Sequence, residues 1–533
     1  MTEALHVPVV VVGAGPVGLA VANLLAQDGI EVVVVERNAS TVDHPRAIVL
    51  DDEGARTLQA FGAADSFLRH TIEGDGARYF DDSGHCFGIV GAGPRTYGFA
   101  KRHFMYQPEL EVALVDNLKR FPRADLRFGW NVTGLNQDGA GVTIACDTPE
   151  GNRTIRCDWL LACDGGRSPI RQWLGIDFVG STYQQDWIVL DLKADPDHVN
   201  YSRFFCSTAR PAVSVPAPRG GRRYEFMLLD GETGAEMLTD ESIARLIAPY
   251  REFTKDDIIR RAIYTFHARI ASRMRQGRVL LLGDAAHLTP PFAGQGMNAG
   301  LRDAHNVAWK LGLLVKGLAD ASVLDSYDEE RRKPAWAMIQ LAVAMGQVVM
   351  PKGADQIAMR GMLLKMLEAF PGAQDYFLQM RFKPAPRYDG GLFVDIDRQP
   401  YEASLVGQML PQPLVKLASG RSVRFDEVLG SGFALIAQSE SDASALAALT
   451  HPLWQQIKPA LVHLGVEKAA AGPVVGVTAA DDYVRPLRTH RDQIILVRPD
   501  RYVAGAFFAA DEYAFAERFR QLLQSRAAAR MSA

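Results

Sequence analysis

The sequence predicts a mixed α/β protein, a parallel α/β unit joined to α+β parts, and three observations predict it. The apolar run 9–12 leads straight into Gly13-Ala14-Gly15-Pro16-Val17-Gly18, helix-forming residues 19–26, Gly29 and a second apolar run 30–35. Between residues 186 and 229 the pattern changes to short alternating strands, 187–192 and 223–228, separated by proline- and glycine-rich turns. A loop rich in Pro and Gly at 384–391 then precedes a stretch, from about 404 onward, that reads as a small α/β unit of its own.

Continuous apolar runs of this kind mark strands buried on both faces, and a strand–helix–strand succession requires parallel pairing. Further strands are expected at 126–135, 141–146, 159–162 and 279–282, and helices at 300–317 and 327–350. A chain of 533 residues is too long for one core, and about three or four units are expected. The expected division is 1–185, 186–275, 276–395 and 396–533.

Hydrophobic residues make up 48% and charged residues 23%, the balance of a globular chain. A net charge of −4 and a pI near 6.3 give no field that would recruit nucleic acid or an anionic membrane, so a small-molecule partner is expected. Arg219, Arg222 and Arg223 read as a solvated loop, with an anion site as the alternative. Cys86, Cys146, Cys157, Cys163 and Cys206 show neither metal spacing nor a disulfide framework; no metal and a reducing cytoplasm are expected. The opening MTEALHVP lacks the features of a signal peptide. The apolar stretch 336–350 is interrupted by Gln340, Gly346 and Gln347, is too short to span a membrane, and reads as a buried helix.

In Gly13-x-Gly15-x-x-Gly18 the first glycine permits a tight turn, the second lets backbone approach a pyrophosphate, and the third allows close helix–strand packing. Pro16 opens the helix, whose N–H groups and dipole favour a phosphate. Glu36, followed by Arg37, ends the second strand, where a carboxylate can take both ribose hydroxyls. Gly91-Ala92-Gly93-Pro94 repeats the letters but has Thr96 in place of the third glycine, and is expected to be a loop.

Two later segments choose between dinucleotides. Cys163-Asp164-Gly165-Gly166-Arg167-Ser168 closes one strand, with Arg171 one helical turn further on. Gly283-Asp284-Ala285-Ala286-His287 closes another and is followed by Pro290-Pro291-Phe292-Ala293-Gly294-Gln295-Gly296-Met297-Asn298. A carboxylate at a strand's C-terminal edge can accept from a ribityl or ribose hydroxyl, and a glycine-rich helix start offers N–H groups to an electron-rich ring edge.

With these three segments in this order, the sequence resembles the class A flavoprotein aromatic hydroxylases over essentially its whole length. Within that family it is most similar to the 3-(3-hydroxyphenyl)propionate hydroxylases. The closer likeness lies in His44-Pro45-Arg46-Ala47-Ile48, Asp51-Asp52-Glu53, residues 104–108, Ala162-Cys163-Asp164-Gly165-Gly166, Met380-Arg381-Phe382-Lys383-Pro384 and Arg498-Pro499-Asp500-Arg501-Tyr502-Val503. The resemblance implies a Rossmann-type FAD domain, an interleaved antiparallel substrate domain and a thioredoxin-like C-terminal domain, here without CxxC. It implies FAD as cofactor, NADH or NADPH as reductant, O₂, and hydroxylation of a phenol ortho or para to its hydroxyl by the flavin C4a-hydroperoxide. No segment resembles a flavin attachment site, so non-covalent FAD is expected.

The resemblance further implies cofactor roles for Arg46, Gln107, Asp164, Asp284, Pro291, Gly294, Gly296, Met297 and Asn298. Plainer readings are a surface ion pair for Arg46 and a helix start for Gln107. Tyr264 and His267, on the strand-like stretch 262–268 and expected to face the substrate pocket, and His287 are the candidates for handling the phenolic proton; for each histidine a hydrogen-bonded packing residue is the plainer reading. Residues 288–293 follow the more general family form, which leaves the substrate open between a 3-hydroxyphenyl-alkanoate and a polyketide or antibiotic. A halogenase is disfavoured because no WxWxIP is present, and a plain NAD dehydrogenase would not need the later segments. A flavin redox sensor is the non-enzymatic alternative. The C-terminal unit is expected to serve assembly, a homodimer being one form, so that a chain ended near Asp397 should keep some FAD.

Overall fold

The computed structural model describes residues 5–350, 353–370, 372, 384–396, 404–465 and 473–524; residues 380–383 and Asp397 lie outside these. Strand Leu5–Val12 pairs in parallel with Val32–Glu36 on one side and Gly151–Ala162 on the other. Ala124–Phe128 and Val279–Leu281 extend the parallel sheet, and the hairpin partner Arg275–Gln276 closes one edge. Val9 to Val11 and Val32 to Val35 are almost fully buried, as the unbroken apolar runs require. Helices Pro16–Gln27 and Gly296–Val315 cross so closely that a Cβ at Gly300 would lie 2.4 Å from the Val17 side chain. Glu36, Asp164 and Asp284 all fall at or just beyond the C-terminal ends of parallel strands, the edge where open α/β sheets bind ligands.

The second sheet runs His287–Leu288, Ile258–Ala271, Phe178–Leu192, Gly221–Met227, Ala212–Ala217, Ser202–Phe205, Ala77–Phe80, Cys86–Val90. It is antiparallel except where Ser202–Phe205 meets Ala77–Phe80. The expected span 186–275 is therefore too narrow. Two strands come from before residue 100, because cross-strand register, not sequence proximity, recruits them. Helix Asp325–Val349 packs its buried side against this sheet and leaves Gln340, Ala344 and Gln347 exposed, so the stretch expected to be buried is amphipathic. The expected strand 126–135 is two, Ala124–Phe128 and Asn131–Gln137, divided at Gly129 with φ +74°. Residues 91–95 form a loop.

Arg222 and Arg223 are buried, not solvated: Arg223 pairs with Asp191 at 2.7 Å and Arg222 donates to Ser214 at 3.0 Å. Arg219 pairs with Glu109 at 2.6 Å.

The last sheet runs Ser422–Arg424, Leu414–Leu417, Val474–Ala479, Ala460–Leu464, Ala434–Ala437, Ile494–Val497, Val503–Phe507. Its core is continuous with that of the parallel sheet: Phe433 meets Trp309 of helix Gly296–Val315 edge-on at 5.5 Å. Buried ion pairs cross the same seam, Arg498–Glu330 at 2.7 Å and Arg56–Asp426 at 2.7 Å. This seam counts against the expectation that a chain ended near Asp397 keeps some FAD. Such a cut would leave Glu330 and Arg56 buried without their partners and expose Trp309.

Candidate active site

The glycines of the first loop have separate duties. Gly13 has φ +105°, and a Cβ there would lie 2.4 Å from the Cys163 carbonyl oxygen. A Cβ at Gly18 would lie 1.9 Å from the Gly13 carbonyl oxygen. Gly15 has an ordinary φ of −75° and would meet nothing within 4 Å. Its missing side chain leaves open space in front of helix Pro16–Gln27, which begins with no side-chain cap. Free N–H groups facing an open concavity suit a pyrophosphate. The Glu36 carboxylate accepts from the Ala14 N–H at 2.9 Å and from the Asn38 N–H at 2.9 Å, which fixes it beside the loop; Arg37 is exposed.

The middle of the site is built from the two later fingerprints. Arg171 donates to the Ala285 carbonyl at 2.9 Å and to the Gly166 carbonyl at 3.0 Å, riveting the two loops together. Its spacing was visible in the sequence, its bridging role was not. Asp164 accepts from the Ile170 N–H at 3.2 Å through one oxygen, while the other is buried without a partner. Burial pushes this carboxyl up, against a hydrogen bond from Ser168. The Asp284 side chain is open to the cleft and accepts no hydrogen bond among the described residues. The protein around it pushes its carboxyl up, opposed by His287 and Arg46. One unspent buried acceptor on Asp164 and the open carboxylate of Asp284 fit a ligand rich in hydroxyls.

Gln107 accepts from the Ala47 N–H at 2.7 Å and donates to Glu111 at 2.8 Å; Glu111 accepts from the Val42 N–H at 3.0 Å. Gln107 thus shapes the 42–47 loop that carries Arg46. Arg223 donates to the Arg46 carbonyl at 2.7 Å from the antiparallel sheet, and the Arg46 side chain is exposed.

At the far end Gly294 takes the left-handed conformation with φ +62°, and helix Gly296–Val315 starts with no side-chain cap. A Cβ at Gly296 would meet nothing within 4 Å. Asn298 is buried and spends its side chain on structure. It accepts from the Asp51 N–H at 3.0 Å and donates to the Val49 carbonyl at 3.1 Å and the Gly294 carbonyl at 2.9 Å. Met297 is half-buried and Pro291 exposed, while Phe292 turns inward against Trp187 at 5.9 Å and Phe266 at 5.6 Å. These rings join Tyr106, Phe204, Met338, Leu341 and Met345 in one apolar cluster between sheet and helix.

The three candidates for the phenolic proton separate. Tyr264 packs on that apolar cluster and accepts a hydrogen bond from Arg260. His267 is three residues on, so the two-residue period of a strand turns it to the opposite face, where it bonds Thr182 at 2.9 Å. The expectation that both face one pocket is corrected. His287 is fully buried and bonds Asp303 at 2.7 Å, with Arg331 on the other Asp303 oxygen at 2.9 Å. It sits in the core behind the fingerprint loop.

Asp51, Asp52 and Glu53 lie close enough to hold a cation, yet Arg302 pairs with Asp51 and with Glu53 at 2.6 Å, and Lys101 with Asp52 at 3.1 Å. The cluster is a set of ion pairs. Among the described residues no helix is long and apolar enough to cross a membrane.

The open phosphate cradle, the carboxylate at the ribose position, the unspent Asp164 and Asp284 oxygens and the uncapped second helix fit an extended flavin dinucleotide. A family described as FAD binding domain matches residues 6–342, and one described as HcaD C-terminal domain matches 407–522. The 3-(3-hydroxy-phenyl)propionate/3-hydroxycinnamic acid hydroxylase of Klebsiella pneumoniae (strain 342) is 40% identical over 508 residues, covering 93% of this chain and 91% of that protein. The chain belongs to the FAD-dependent aromatic hydroxylases. The hydroxylase is also 36% identical over 553 residues to the protein of the same name from Paraburkholderia xenovorans (strain LB400), covering 94% of this chain and 89% of that one. In fold it is similar to the flavin-dependent monooxygenase PieE, solved with FAD and substrate, with TM-score 0.80, 22% identity and coverage of 97% and 99% of the two chains.

Proposed function

We propose that the substrate of this hydroxylase is a phenol carrying a short carboxylate side chain at the meta position, a 3-hydroxyphenyl-alkanoate. The observation that carries the reading is the apolar wall of Trp187, Phe266, Phe292 and Met345, with the Tyr264 side chain packed against it, beside the open start of helix Gly296–Val315. The names of the relatives that share over 90% of the chain support the choice of phenol. FAD, reduced by NADH or NADPH, supplies O₂ activation.

The chain's own groups do the rest. Gly15 and the first turn of helix Pro16–Gln27 would take the pyrophosphate, and Glu36 a ribose. Asp284 and Asp164 would accept from hydroxyls of the cofactor chain, with Arg171 keeping their loops in register. The Gly294–Asn298 backbone would face the ring edge. The apolar cluster excludes water and orients the phenol ring. Tyr264, its hydroxyl oxygen already accepting from Arg260, can donate a hydrogen bond to a phenolate oxygen and so stabilise the electron-rich form of the ring. His267 and His287 have no place in this arrangement. We also read the C-terminal unit as thioredoxin-like, the assembly as a homodimer, and the compartment as the cytoplasm, the last on cysteine usage.

A panel of meta-substituted phenols scored for NADH consumption and hydroxylated product tests the reading. Phenol-stimulated consumption with a catechol or hydroquinone product is expected. Consumption that is indifferent to every phenol, with no hydroxylated product, contradicts it.

A further inference from the structure

Among the described residues most arginines deep in this protein have a carboxylate or carbonyl partner: Arg56 has Asp426, Arg223 has Asp191, Arg302 has Glu53, Arg498 has Glu330, and Arg171 has two carbonyls. Arg102 has none. It lies on strand Arg102–Phe104, which pairs with Val49–Asp51 beside the Gly294–Asn298 loop. The strand period puts Arg102 on the same face as Phe104, and Phe104 belongs to the apolar cluster of the candidate active site. Gly74 makes room for it: a Cβ there would lie 3.2 Å from the Arg102 Cβ and 2.8 Å from the Phe104 ring.

The guanidinium is close enough to Tyr79 for the two side chains to feel each other's charge, and Tyr79 stacks on Phe204 at 4.8 Å in the same cluster. The Tyr79 hydroxyl also makes no hydrogen bond among the described residues. Desolvation pushes the Arg102 side chain down, opposed by Tyr79 and, among the described residues, by no carboxylate. A half-exposed guanidinium without a counter-ion, beside a phenolic hydroxyl and an apolar cluster, is complementary to a carboxylate.

We propose that Arg102, assisted by the Tyr79 hydroxyl, binds the side-chain carboxylate of the substrate and so selects acidic phenols over neutral ones. This rests on the proposed substrate class. The neighbouring Lys101 does not share the task, since it pairs with Asp52.

The test uses the flavin-loaded enzyme with Arg102→Met, which keeps the aliphatic stem, and Arg102→Lys, which keeps the charge. The ratio of kcat/KM for 3-(3-hydroxyphenyl)propionate to that for 3-ethylphenol should fall roughly ten- to a hundredfold in Arg102→Met and partly recover in Arg102→Lys. Binding of 3-phenylpropionate, which has the carboxylate but no hydroxyl to react, should weaken similarly when followed by flavin absorbance. Thermal stability of ligand-free Arg102→Met should not drop, because no ion pair is lost. An unchanged ratio together with unchanged 3-phenylpropionate binding overturns the assignment. A rise in KM for NADH in place of the ratio change also overturns it, assigning the arginine to the reductant. If the parent enzyme turns over neither phenol, the substrate reading fails by itself, and the 3-phenylpropionate measurement still decides whether Arg102 binds a carboxylate.

Discussion

Gly15 and Gly18 stand three residues apart and are glycine for different reasons. Space is empty around Gly15, so Gly15→Val is expected to leave the melting temperature of the flavin-free protein unchanged while abolishing FAD binding. Gly18→Ala drives a Cβ into the Gly13 carbonyl and is expected to lower the melting temperature itself. Calorimetry with and without FAD separates the two. Asp284 and Glu36 form a second contrast. Asp284 makes no hydrogen bond among the described residues, so Asp284→Ala should weaken FAD by about 1.5–3 kcal/mol without cost to the flavin-free fold. Glu36→Ala also frees the Ala14 and Asn38 N–H groups and should lower both. Equal stability losses in the two variants would contradict the geometry. The glycines and carboxylates were legible because spacing along one loop fixes them. Arg102 carries no such signature; Arg171 and Asn298 stand out by position, but most of their partners, distant in sequence, do not.

At the scale of elements, the strand Ile258–Ala271 shows both what periodicity gives and where it is misapplied. Its existence was readable from residues 262–268, and its two-residue alternation already separates Tyr264 from His267. Which face meets the pocket is set by helix Asp325–Val349, some 60 residues later, and no local pattern shows that. Tyr264→Phe is accordingly expected to lower kcat about 10- to 100-fold with flavin content intact, the loss of one hydrogen bond to a charged oxygen. His267→Ala is expected to change kcat by less than about twofold, since exposed hydrogen bonds contribute little. Steady-state rates on a meta-hydroxyphenyl substrate, with flavin absorbance as control, check both, and the reverse ranking would return His267 to the site.

The whole molecule departs most from the expected partition. The parallel unit was readable because each strand is followed by its own helix. The antiparallel sheet was only partly so, since Ala77–Phe80 and Cys86–Val90 join it from across the chain. The seam to the C-terminal unit, Trp309 on Phe433 and Arg56 on Asp426, consists of contacts about 120 to 370 residues apart and leaves no trace in local sequence. Although burial opposes it, Arg56 and Arg501 hold the Asp426 carboxyl down to about 2, below its unfolded value of 3.8. A depressed carboxylate stabilises the fold above the unfolded value and loses that contribution as pH falls toward the folded one, so the seam should weaken between about pH 4 and pH 2, by about 2 kcal/mol. Thermal melting against pH, with Asp426→Asn as comparison, should show a slope in that window which the variant lacks. A chain ended at residue 396 should bind no FAD and aggregate; a monomeric yellow fragment would contradict the shared core.

The most direct test of the account is the origin of the oxygen. Turnover of a 3-hydroxyphenyl-alkanoate with NADH under ¹⁸O₂, followed by mass spectrometry of the product, should place one ¹⁸O atom in the new hydroxyl, ortho or para to the first. Incorporation from H₂¹⁸O under ordinary O₂ would contradict the assignment of this chain as a flavin-dependent hydroxylase of phenols.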